Sequence, residues 1–177
     1  MVRVKDLQML AATLSPEEFG AQLGPFMLIQ QPDAPVLAQV ASRLGGSRTI
    51  AMAHRGRLGD QVLEMLRGFA SLWVHNFPGL RDGQTLTVGR VPECEICIEE
   101  PSVSKKHATL RWDAARNGCA IRDLRSTNGT FVNARALGDV EEVELWDGDA
   151  ISFGDAQFIY MLAPTLHGQF RTLRGER

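Results

Sequence analysis

Cysteine, tyrosine and long apolar runs are scarce in this sequence, and each scarcity closes off a class of protein. Three cysteines and one tyrosine stand among 177 residues, too few cysteines for the disulfide frameworks that staple small secreted domains. Cys94 and Cys97 have the Cys-x-x-Cys spacing used by redox and zinc sites, but no second Cys or His pair stands at ligand spacing, so neither a metal nor a cofactor is expected. Cys119 opens a strand-like run and reads as packed. No apolar run approaches the ~20 residues that span a bilayer. The start, Met1-Val2-Arg3-Val4-Lys5-Asp6, is charged throughout and has no apolar segment behind it, unlike a secretory signal. The expectation is a cytoplasmic protein without membrane contact. Catalytic signatures are missing as well: there is no phosphate-cradling Gly-rich loop and no kinase or phosphatase motif, and His54, His75 and His167 stand alone. An enzyme is not expected.

Charge excludes a further class. The formal net charge is −2, but the imbalance is local, because residues 71–163 hold nine Lys and Arg against fourteen Asp and Glu. An acidic body is a poor match for a nucleic-acid backbone. Within it, Arg90, Lys105, Lys106 and Arg125 gather in or beside three loops. Local cations on an acidic body suit one small anion rather than a polyanion.

Those loops carry what is present. Gly89-Arg90, Ser104-Lys105-Lys106-His107 and Ser126-Thr127-Asn128-Gly129-Thr130 each follow an apolar, alternating run, so each reads as a loop held out by a strand. Together they supply a guanidinium, hydroxyls, an ammonium and an amide, the groups needed to bind an anion and a peptide backbone at once.

This combination resembles the signature of the forkhead-associated (FHA) domain. The likeness rests on Gly89-Arg90, the Ser-x-x-His of Ser104 and His107, and the Ser-x-Asn-Gly-Thr of Ser126 to Thr130. The wider frame agrees, from Glu95-Ile96-Cys97-Ile98 and Pro101-Ser102-Val103 to Leu145 and Gly148-Asp149-Ala150-Ile151-Ser152-Phe153-Gly154. It covers about residues 71–163. The resemblance implies a mainly β fold, an antiparallel β-sandwich with a peptide site on loops at one end. It implies that Arg90 and Ser104 grip the phosphate of a phosphothreonine, with Lys105 and Thr127 adding contacts and Asn128 bonding the peptide main chain. Gly89, His107 and Gly129 would support the loops rather than touch the ligand. The partner so implied is a phosphothreonine-containing protein, a Ser/Thr kinase or its substrate. A second implication is a structural FHA-like scaffold that reads no phosphate.

The rest of the chain reads as helical before this region and irregular after it. Val4, Leu7, Leu10, Ala11 and Leu14 follow helical spacing. Ser15, Pro16 and Glu18 make a capped helix start, with Leu14 and Phe19 as a hydrophobic staple and Gly24 as terminator. Phe26 to Gln30 is a short apolar run that reads as an extended strand or the edge of a core. Further helices are expected from about residue 35 to 44 and around Leu58 to Phe69. Residues 1–70 thus form a helical N-terminal region of no recognised role, and 164–177, with Arg171, Arg174 and Arg177, a flexible basic tail. Thr13 and Thr49 lie outside the β region and are candidate phosphorylation sites for capture by the same chain's loops.

Overall fold

The alternation that starts after residue 71 builds two sheets that pack face to face. In the computed structural model, residues 1–32 and 70–175 are described. The elements are β1 (Val2–Arg3), α1 (Val4–Thr13), α2 (Pro16–Leu23), β2 (Phe26–Gln30), β3 (Trp73–Asn76), β4 (Thr85–Gly89) and β5 (Ile96–Cys97). There follow β6 (Ala108–Asp113), β7 (Gly118–Asp123), β8 (Thr130–Val132), β9 (Arg135–Ala136), β10 (Glu142–Glu144), β11 (Ala150–Phe153), β12 (Ala156–Leu162) and α3 (Ala163–Leu173). A seven-stranded sheet has the order β1-β3-β2-β12-β11-β8-β9, and a five-stranded sheet the order β10-β7-β6-β4-β5. All pairs are antiparallel except β4 with β5. The fold is therefore mainly β, a two-sheet sandwich with a short helical segment ahead of it.

The seven-stranded sheet is buried on both faces along β2 and β12. Successive side chains of a strand point to opposite sides, so along β2 Phe26 and Leu28 enter the core between the sheets. Met27 and Ile29 enter a second core under the helices. Strand β12 divides in the same way: Phe158 and Tyr160 face inward, and Ile159 and Met161 face the helices. A third layer of α1, α2 and α3 lies on this outer face through Leu7, Phe19, Leu166 and Phe170.

Local chemistry sets the helix ends. Ser15 Oγ accepts from the Glu18 N–H at 3.2 Å, and the Ser15 N–H donates to Glu18 Oε2 at 2.8 Å, closing the expected capping box. Helix α2 stops at Gly24. Helix α3 starts without a cap from its own chain neighbourhood. Asp147 serves instead, with Oδ1 accepting from the Leu162 N–H at 2.8 Å and Oδ2 from the Thr165 hydroxyl at 2.5 Å.

Two sequence expectations change here. The expected flexible tail at 164–177 is helical over Ala163–Leu173, because Ala163, Leu166, His167 and Phe170 form one buried stripe at helical spacing. His167 Nε2 lies 2.9 Å from the Leu14 carbonyl oxygen and ties that helix to the end of α1. The boundary drawn between residues 70 and 71 is crossed by the sheet: β2, from the N-terminal region, sits between β3 and β12. The helices expected at 35–44 and 58–69, and Thr49, lie outside the described residues. Thr13 ends α1, with its hydroxyl donating to the Leu10 carbonyl at 3.1 Å.

Candidate functional site

Three loops meet at one end of the sandwich, and main-chain contacts hold the first two together. A Cβ at Gly89 would lie 2.1 Å from the Lys105 carbonyl oxygen and 2.8 Å from Cys94 Sγ. Only glycine allows the end of β4 to lie that close to the β5–β6 loop. The next residue completes the join, the Arg90 N–H donating to the Ser104 carbonyl at 3.0 Å. Arg90 itself is exposed, and no carboxylate among the described residues, Glu93 included, pairs with its guanidinium. Lys105 and Lys106 are exposed beside it.

Ser104 is the junction of the second and third loops. Its Oγ accepts from the Thr127 N–H at 3.0 Å and lies 3.4 Å from the Thr127 hydroxyl. Its own N–H donates to His107 Nδ1 at 3.0 Å. His107 Nε2 lies 3.1 Å from the Gly129 carbonyl oxygen. Both bonds form together only if Nδ1 is bare and Nε2 carries the proton. The ring is wholly buried and stands edge-on to Phe153, 5.6 Å between centroids. Burial pushes its pKa below the ordinary value, against the upward pull of the Gly129 carbonyl and the Asp123 charge. His107 is thus a neutral strut between two loops, placed under the surface that a ligand would touch.

The third loop is wound around a residue that the sequence reading did not single out. Asp123 Oδ1 accepts from the Ser126 hydroxyl at 2.7 Å and the Thr130 hydroxyl at 2.5 Å, and Oδ2 from the Ser126 N–H at 2.9 Å. Burial alone would raise its pKa; these donors more than offset that and hold it below the usual carboxylate range. A signal was available, since Asp followed three residues later by Ser is the spacing at which a side chain closes a turn on the backbone. Gly129 has φ +79°, which favours glycine.

Asn128 Nδ2 donates to the Ser102 carbonyl at 2.8 Å, drawing the third loop across the second. The β11–β12 turn joins them: the Asp155 N–H donates to Ser102 Oγ at 2.8 Å and the Gly154 N–H to the Gly129 carbonyl at 3.0 Å. All eight residues singled out as site or support, Gly89, Arg90, Ser104, Lys105, His107, Thr127, Asn128 and Gly129, therefore lie in this set of interlocked loops. The Cys-x-x-Cys pair lies beneath them as free thiols, Cys94 Sγ 3.3 Å from the Lys105 carbonyl oxygen and Cys97 Sγ 3.7 Å from that of Arg90. No group of three His, Cys, Asp or Glu among the described residues could hold a metal ion.

The end loops of the sandwich thus bring together a guanidinium with no carboxylate partner among the described residues, an ammonium and two hydroxyls, groups that suit an anion. The FHA domain model matches residues 86–154, so this part of the chain is an FHA domain. It is 36% identical over 80 residues to the FHA domain-containing protein FhaA of Mycobacterium tuberculosis, covering 45% of this chain and 14% of that protein. It is 35% identical over 79 residues to the FHA domain-containing protein PS1 of Arabidopsis thaliana, covering 45% of this chain and 5% of that protein. The chain thus spans only a small part of these relatives. Among solved structures, the FHA domain of the CT664 protein from Chlamydia trachomatis superposes with a TM-score of 0.50 at 19% identity, over 78% of this chain and 97% of that one; this likeness concerns the fold. FHA domains are phosphopeptide-binding modules, generally without enzymatic activity. No helix among the described residues is long and apolar enough to cross a membrane, which says nothing of β-barrels.

Proposed function

We propose that this protein binds phosphothreonine-containing segments of other proteins and serves as an adaptor in Ser/Thr kinase signalling, in the cytoplasm and without catalysis of its own. FHA homologues bind phosphothreonine peptides in that setting, and the observation that carries the reading here is the Ser104 junction. Ser104 is bonded to Arg90 through the main chain and to Thr127 through its hydroxyl, at 3.0 Å in each case. One dianionic phosphate can therefore meet residues of all three loops.

Each role follows from side-chain chemistry. Arg90 offers a planar fork for two phosphate oxygens. The Ser104 and Thr127 hydroxyls can each donate one bond, that of Ser104 by turning its proton from the Thr127 oxygen to the phosphate, and Lys105 adds a point charge. Asn128, already engaged with the Ser102 main chain, has the donor and acceptor needed to bond a peptide backbone. Hydrogen bonds to charged groups are worth about 1.5–3 kcal/mol each. Three or four, less ordering costs, give roughly −8 kcal/mol, a micromolar Kd. Burying the threonine methyl contributes only about 0.8 kcal/mol, roughly fourfold over phosphoserine.

Calorimetric titration of a phosphothreonine peptide library, each peptide matched with its phosphate-free form, tests the reading. Phosphate-dependent micromolar binding by the intact chain is the expected result, and equal binding of matched forms would refute it. The scaffold alternative finds less support here, because Arg90 and Ser104 are both present at the junction.

A further inference from the structure

Two exposed cations beside the motif loops take no part in the phosphate site described above. The Leu124 N–H donates to the His107 carbonyl at 2.9 Å, which extends the register in which Ala108 faces Asp123. The next residues beyond that bond are Lys106 and Arg125. Both are exposed, and no carboxylate among the described residues pairs with either, whereas Arg111, Arg116 and Arg135 each hold one. Like charges on adjoining strand ends repel, and an anion placed beside both relieves that repulsion.

The backbone at Arg125 is an independent observation. Its φ is +57°, in the left-handed region, which is costly for a long side chain. Asn117 and Asn133 are of a residue type that tolerates the region, and Asn133 with Ala134 makes the two-residue turn from β8 to β9. Arg125 has neither reason. Glycine would suit its backbone better; what arginine adds is a charge two residues from Thr127.

The two loops also order their surface by charge. Lys106 and Arg125 stand on one side of the Ser104–Thr127 contact. On its other side Asn128 crosses to Ser102, where Glu100 Oε2 accepts from the Ser102 N–H at 2.9 Å and the Asp155 N–H donates to Ser102 Oγ at 2.8 Å. The carboxylates of Glu100 and Asp155 disfavour an anion on that side.

We propose that Lys106 and Arg125 form a specificity subsite, beside the phosphothreonine position, for a second anionic group of the same peptide, either a Glu or Asp carboxylate or a second phosphate. Each is two residues from the Ser104–Thr127 contact, a reach of at most about 7 Å along the chain. The second anion therefore lies within about three residues of the phosphothreonine, on one side of it only. This deepens the phosphopeptide reading and rests on it.

Calorimetry of the intact chain with a Gly-Ser peptide carrying a single phosphothreonine tests the subsite. The forms compared have neutral flanks, a run of Glu before the phosphothreonine, a run of Glu after it, or a phosphoserine in place of the favoured run. One Glu run, and not the other, should tighten binding about fivefold over neutral flanks. The gain should fade as salt rises from about 0.1 M to about 1 M and the screening length falls from about 10 Å to about 3 Å. In the double variant Lys106→Ala, Arg125→Gly, the ratio of acidic-flank to neutral-flank affinity should fall to about one. Glycine accepts the backbone of residue 125, so this variant should unfold at or above the wild-type temperature. A gain from Glu or from phosphoserine supports the subsite, and the larger of the two names its source. Equal affinity of neutral and acidic forms, equal gains on both flanks, or an unchanged ratio in the double variant overturns the subsite while leaving phosphate-dependent binding in place. Absence of phosphate dependence with neutral flanks would instead overturn the phosphopeptide reading, and the subsite with it.

Discussion

The seven-stranded sheet has two buried faces that are organised by different means. On the inner side, apolar packing against the second sheet ends in polar loops, where Ser104, His107, Asp123 and Asn128 are tied by bonds of about fixed direction. On the outer side, α1, α2 and α3 cover the sheet almost entirely through aliphatic and phenyl groups. Directional bonds need particular residues at particular spacings, whereas apolar burial accepts many. The inner side therefore carries the loop motifs, whereas the outer side carries only the capping box of Ser15 and Glu18. Both faces share the side chains of β2 and β12 alternately, so neither core is independent of the other.

That dependence is the first thing to break. Phe158 lies in the inner core and Phe170 in the outer, each 1% exposed. Either change to Ala should cost about 3–5 kcal/mol, and urea unfolding should stay a single transition in both variants. Two separable transitions, or a Phe170→Ala effect under about 1 kcal/mol, would make the helical layer an appendage.

Acid should act on the inner side. His75 pairs with Leu28 across the strands and lies edge-on to Phe158, and its pKa is lowered to about 4, chiefly by burial and then by the N-terminal ammonium. His107 is lowered too. As pH falls below the ordinary 6.5, the unfolded chain takes up protons that the folded one refuses until near 4. Stability from His75 is therefore complete above 6.5 and declines through that window, by about 3 kcal/mol in all. Unfolding free energies at several pH values check this, and His75→Phe should flatten the slope. An unchanged slope in that variant would contradict the assignment.

Gly89→Ala sharpens the comparison at the site. A Cβ there would strike the Lys105 carbonyl, so about 1–3 kcal/mol of stability should be lost, together with phosphopeptide affinity. An Ala variant as stable and as tight-binding as the wild type would show that the loops yield easily. The smallest effect on folding belongs to Arg90→Ala. The side chain is exposed and pairs with no carboxylate among the described residues, so stability should change by less than about 0.5 kcal/mol while binding falls at least tenfold. Equal loss of both, read by thermal unfolding and calorimetry, would make it a structural residue.

The same contrast explains what could be read in the sequence. The capping box of Ser15 and Glu18, the helix of Val4–Thr13 and the loops around Arg90, Ser104 and Asn128 were legible, because each rests on a local spacing. Phe26 to Gln30 had no alternation to betray a strand, since both of its faces are buried. Helix α3 was hidden by Arg171, Arg174 and Pro164, although Ala163, Leu166, His167 and Phe170 carried its period. Its start depends on Asp147, a partner fifteen residues from Leu162, which no local pattern announces. Asp123 lay between two conspicuous motifs, and its part appears only when Ser126 and Thr130 fold back on it.

The most direct test of the binding account is a double-mutant cycle on phosphothreonine-peptide affinity with Arg90→Ala, Ser104→Ala and the pair, measured by calorimetry. If one phosphate is shared by both residues, the single losses will not add, and the coupling will exceed about 0.5 kcal/mol. Additivity within about 0.3 kcal/mol would place the two residues on separate tasks and contradict the proposed site.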